Sequence, residues 1–123
     1  MIALNRYHKT QNETASPQRL MVLLFECALR HIRVGVSALE AGRKNEAVHS
    51  LTKASDIVAE LIASLDHSKA PEICRELDRI YAFVAARLIN AACTFDVKAA
   101  RDAERAFAPI ADAFSKAVVA SAK

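Results

Sequence analysis

The sequence predicts an all-α domain, an antiparallel up-down four-helix bundle with a short N-terminal arm, and three observations carry that prediction. Only 2 of the 123 residues are glycine, while hydrophobic residues make up 53% and aromatics 6%, so the chain lacks the turn punctuation that sandwiches and barrels need. Four segments space their apolar residues by three and four, the period of one helix face. The connections between them are short, which sets consecutive helices antiparallel. One core suits a chain of this length. Residues 16–123 are therefore read as a single bundle and residues 1–15 as the arm, in which Ile2, Leu4 and Tyr7 stand among polar neighbours. The arm is too short for a fifth core helix, but it has room for one short extra helix on the bundle surface.

The first helix is expected over residues 17–41. Ser16 is a good N-cap, and Pro17 at the first helical position gives up only a donor that would be unpaired anyway. One stripe runs through Leu20, Leu24, Cys27, His31 and Ala38, another through Met21, Phe25, Ala28, Ile32 and Leu39, and Val22, Leu29 and Val36 widen the surface further. This exceeds the roughly 100° that a bundle helix must bury, so part of it is expected to await a partner. Gly42 provides the left-handed stop.

The second helix is expected over residues 46–65, capped by Asn45, with Ala47, Leu51, Ala54, Val58, Leu61 and Leu65 forming a seam flanked by Ile57 and Ile62. Asp66 to Ala70 reads as a loop. Pro71 then opens a third helix, residues 71–93, with Ile73, Leu77, Ile80, Val84, Leu88 and Ala91 on one face and Tyr81, Phe83, Ala85 and Ile89 broadening it. After Thr94 to Asp96, with Asp96 as cap, a fourth helix over residues 97–121 carries Ala99, Ala103, Phe107, Ile110, Phe114 and Val118. Pro109 removes an interior hydrogen bond and crowds the preceding turn, so a kink or break is expected near Arg105 to Ala108.

Several function classes are disfavoured. The net charge of +3 is mild and its basic residues are scattered among acidic ones, whereas nucleic-acid binding calls for a clustered basic face. No apolar run approaches the roughly 18 residues of a membrane span, and residues 1–15 lack a signal-peptide core. A soluble cytoplasmic protein without membrane insertion is expected. The three cysteines, Cys27, Cys74 and Cys93, form no Cys-x-x-Cys pair and read as small buried hydrophobes in a reducing compartment.

Glu46 and His49 have the Glu-x-x-His spacing of di-metal bundles, but His49 lies about 200° around the helix from the core position Ala47. No metal site or cofactor is expected. His31 reads as a core or groove residue, and His8 and His67 fall in the arm and a loop. There is no nucleophile elbow and no glycine-rich phosphate loop, so no enzyme is expected. Glu72, Glu76 and Arg79, like Arg101, Glu104 and Arg105, have helix-neighbour spacing and read as solvated faces.

A family resemblance emerges from the order of several motifs. Thr14-Ala15-Ser16-Pro17 with Leu20, Leu24 and Phe25, then Gly42, Lys53-Ala54, Ile57, Leu61 and Leu65-Asp66, resembles the flagellar secretion chaperone FliS family, as does Ile80-Tyr81-Ala82-Phe83 followed by Arg87-Leu88, Ala91 and Asp96. The likeness spans Tyr7 to about Phe114. The chain departs from the family pattern at Ala82 and Phe83, where Asp and Tyr are usual, at Ala92 in place of Asn, at Phe114 in place of Trp, and at Pro109. Contacts that the family makes through those polar groups do not carry over, whereas the apolar framework does.

The resemblance implies a cytoplasmic chaperone that binds the disordered C-terminal segment of flagellin, blocks premature polymerisation and delivers it to the flagellar type III export apparatus. It further implies that the client wraps the bundle and that the N-terminal segment covers the apolar groove in the client's absence. Tyr7, Phe25, Ile57, Leu61, Tyr81, Phe83 and Leu88 are the expected partner-binding residues. Contact with the flagellar export gate and homodimerisation remain open as further partner readings. The alternative is a divergent bundle that serves another secretion substrate or self-associates.

Overall fold

The computed structural model describes residues 16–122, so the expectations placed on the arm and Tyr7 lie outside the described residues. Four helices follow one another: α1 Pro17–Glu40, α2 Lys44–Ala63, α3 Pro71–Thr94 and α4 Val97–Ala122. Short connections leave each antiparallel to the next. Each packs on two neighbours, α1 and α3 both touching α2 and α4, which closes a four-helix bundle.

Local chemistry sets the helix ends. The Ser16 Oγ accepts the Arg19 N–H at 3.2 Å, offsetting one of the orphan amides at the α1 start. At the other end the Arg43 N–H donates to the Ala38 carbonyl at 2.8 Å and the Gly42 N–H to Leu39 at 3.1 Å, while Gly42 takes a φ of 75°. This is a Schellman turn. It reverses the chain so tightly that α2 begins at Lys44, with Arg43 at its N-cap position and no side-chain cap bond. Asn45, the expected cap, therefore falls inside the first turn. Arg43 instead binds Glu46 at 2.7 Å. At the α4 start, the Asp96 carboxylate accepts the Ala99 N–H at 3.2 Å, as the sequence predicts.

The structure alters two other expectations about the helices. Ile73 is 64% exposed, whereas Val84, Leu88 and Ala91 of the expected face are buried, joined by Cys74 and Tyr81. Two seams of this helix fit the 3–4 spacing, and the one turned inward carries the large Tyr81 ring, which gains more from leaving water. Helix α4 runs unbroken through Pro109. Phe107 and Ala111 are buried on either side of it, and the Arg105 turn left without its donor faces solvent, where water can take the donor's place. The solvated charged faces also reach across helices. Arg101 pairs with Glu40, Glu104 with Arg33 at 3.0 Å and Asp102 with Arg87 at 3.9 Å, tying α4 to α1 and α3. Arg79 stays on its own helix, bound to Glu76 at 2.7 Å.

Cys27 and Cys74 are buried as expected, but Cys93 is exposed, because it falls on the outer face of α3. Core layers also differ along the bundle. Away from the α1 start the fully buried positions are largely small, Ala38, Ala47, Ala91, Ala99, Ala100 and Ala103, which permits close helix approach. Gly35 marks such an approach, because a Cβ there would lie 2.5 Å from Leu51 Cδ2 and 2.7 Å from its Cγ. Gly35→Ala is expected to lower stability by about 1 kcal/mol in urea unfolding, overpacking outweighing alanine's better helix propensity. A raised midpoint would mean that Leu51 can swing clear.

Candidate functional site

At the opposite end the core is aromatic. Phe25 sits at the centre of a cluster, its ring centroid 4.9 Å from Phe114, 5.7 Å from Phe107 and 6.4 Å from Tyr81. Next to this cluster a pocket of about 570 Å³ opens to solvent. Every helix supplies an i, i+4 pair to its walls: Met21 and Phe25 from α1, Leu61 and Leu65 from α2, Leu77 and Tyr81 from α3, Ile110 and Phe114 from α4. Residues four apart lie one above the other on a helix face, and antiparallel packing brings the four pairs to the same end. Ser64 and Asp66 are the polar groups at the rim. Concave, apolar walls with few polar groups suit an apolar ligand or side chain rather than a charged one.

Of the residues singled out from the sequence, the pocket brings together Phe25, Leu61 and Tyr81. Ile57 and Leu88 lie in the buried core and not on the pocket wall. Phe83 is 50% exposed on the outer face of α3, which also carries Ala82, Ala86, Ile89 and Cys93 as exposed residues. Sequence reasoning missed Met21, Leu77, Ile110 and Phe114 as site residues. The signal was present, since up-down topology places the starts of the odd helices beside the ends of the even ones, and each carries an i, i+4 apolar pair.

Burial pushes the Tyr81 phenol up to about 12. Its folded value lies above the ordinary value near 10, so between those limits the unfolded chain has already released a proton that the folded chain keeps. Stability is therefore expected to fall as pH rises through that window, and Tyr81→Phe should remove this part of the alkaline loss in urea titrations taken at successive pH values. His31 is held below its usual value by burial, then by the charges of Arg30 and Lys53 and by His49. His49 itself is exposed and Glu46 is engaged by Arg43. Among the described residues no group of three or more His, Cys, Asp or Glu could hold a metal ion, and no helix is long and apolar enough to cross a membrane.

The family model described as flagellar protein FliS matches residues 1–121. The chain belongs to the FliS family. It is 30% identical over 95 residues to the flagellar secretion chaperone FliSB of Pseudomonas aeruginosa, covering 74% of this chain and 75% of that protein. To the flagellar secretion chaperone FliS of Escherichia coli it is 30% identical over 108 residues, covering 86% of this chain and 79% of that one. A crystal structure of a flagellar chaperone from bacteria superposes with a TM-score of 0.73 at 19% identity, covering 96% of both chains, which establishes the shared fold. In this FliS-family bundle Phe114 puts its ring against Phe25. Ala82 and Phe83 occupy exposed positions on α3 and so belong to the surface and not to the core.

Proposed function

We propose that this FliS-family chain acts in the bacterial cytoplasm as an export chaperone for flagellin, seating part of flagellin's disordered C-terminal segment in the pocket at the aromatic end of the bundle. Bound there, the segment is withheld from polymerisation until it reaches the flagellar type III export apparatus. The observation that carries this reading is the apolar pocket walled by all four helices. Ordering a disordered client costs about 1–2 kcal/mol per residue in backbone entropy. Apolar burial returns about 25 cal/mol per Å², so a client held this way must insert large apolar side chains. Phe25, Leu61 and Tyr81 meet those side chains directly, while Ile57 and Leu88 support the wall from the core. Phe83 serves a second stretch of the client on the outer face of α3.

Calorimetric titration of the full chain with the C-terminal segment of a flagellin should give saturable one-to-one binding. No heat and no shift in amide spectra at micromolar concentration would overturn the proposal. A second reading, self-association or another secretion substrate, draws on Ile89, which is 55% exposed beside Phe83. It predicts a concentration-dependent sedimentation coefficient that Ile89→Lys abolishes.

A further inference from the structure

Pro109 divides α4 into unequal halves. Before it, Ala99, Ala100, Ala103 and Phe107 are fully buried, and Arg101, Asp102 and Glu104 reach across to α1 and α3. Beyond it, Ala111 is the one buried side chain among the described residues. The ion pair found there, Lys116 with Asp112 at 3.1 Å, stays within the helix. At the junction the proline has no N–H, so the Arg105 carbonyl loses its donor from the following turn. Open space lies on both flanks: Pro109 lines the pocket described above and also a groove of about 580 Å³ between α1 and α4, with Leu29 and Arg33 on its far side. A missing bond, lighter anchorage beyond it, held chiefly by Ala111 and the half-buried Ile110 and Phe114, and room on either side meet at one residue.

We infer that residues 110–120 form a hinged wall that turns about Pro109 as a unit while residues 97–107 stay fixed. The turning segment carries Ile110, Ala113 and Phe114, the α4 side of the pocket, so its outward swing lifts Phe114 from Phe25 and widens the entrance for an incoming apolar side chain. The use of this motion rests on the pocket being the client site. The motion itself does not.

Native-state hydrogen exchange on the full chain and on Pro109→Ala tests it without a client. A hinge gives a step, with amides 111–118 exchanging together and at least about 30-fold faster than amides 99–107, because local opening releases a whole segment at once. Pro109→Ala, which restores the donor to Arg105, should shrink the step to about threefold or less. Fraying from the end would instead give a gradual rise toward residue 122, unchanged by Pro109→Ala, and that result overturns the inference. Stopped-flow entry of an apolar fluorescent dye into the pocket supplies the second readout, expected to slow at least about threefold in Pro109→Ala if opening gates access. Equal entry rates would also overturn it. If step and slowed entry are both found while the flagellin segment fails to bind, the hinge stands and the proposed function falls.

Discussion

Phe107→Ala is expected to destabilise the bundle by about 3–5 kcal/mol, the range for removing a buried aromatic ring from a core. Phe107 is the largest of the fully buried side chains. Its ring stacks on Phe25 at 5.7 Å and lies 6.4 Å from Tyr81, so its loss removes contacts from two other helices as well as area from water. In thermal unfolding followed by circular dichroism the midpoint should fall by about 10–20 °C for a domain of this size. Phe83→Ala provides the contrast, because a half-exposed ring on the outer face of α3 leaves little cavity when truncated and should shift the midpoint by no more than about 2 °C. A loss for Phe107→Ala below about 1.5 kcal/mol would show that Phe25 and Phe114 collapse into the vacated space.

The second large effect concerns binding. Leu77→Glu places a carboxylate on the α3 wall of the pocket, which Ile110 and Asp66 also line. In the unliganded chain the longer side chain can turn its charge to water, since Leu77 is only half buried, and the stability cost should stay near 1 kcal/mol. A client that fills the pocket would have to strip that carboxylate of water without offering a cation, a penalty of several kcal/mol. Affinity for the flagellin segment is expected to drop at least about 100-fold in calorimetric titration. Ile73→Glu, one turn earlier on α3 at an exposed position outside the pocket, carries the same charge and should bind like the parent chain. Equal weakening by both would assign the effect to long-range charge, and no weakening by Leu77→Glu would place the client elsewhere.

Much of the fold is legible in the residues. Ser16-Pro17, Gly42, Pro71 and Asp96 mark helix ends through local hydrogen bonding and φ preference, which depend on neighbours in sequence. The seam of α2, Ala47 through Leu61, is buried as its spacing implies. Where two seams fit one helix, as on α3, spacing could not choose between Ile73 and Cys74. Pro109 is the converse case: local chemistry argues for a break, while burial of Phe107 and Ala111 on either side holds the helix continuous.

The candidate site was legible only in part. Phe25, Leu61 and Tyr81 stand out as large apolar residues within the family-like motifs, and all three line the pocket. Ile57 and Leu88 have the same character in sequence and are buried in the same core, but they do not line the pocket. Which buried apolar residues back onto a cavity depends on their position along the bundle and on the helices around them.

By itself, then, the sequence determined the helices, most of their ends and the up-down order, since each follows from chemistry acting over a few residues and from connections too short to allow another path; the α2 start, placed by the tight turn at Gly42 and not by Asn45, is the exception. Only the tertiary structure decided which seam of α3 faces inward, which charged residues join α4 to α1, and where the four i, i+4 pairs converge on one pocket. Those outcomes depend on the relative rotation of helices far apart in the chain, and that rotation is set by the packing of all four cores at once.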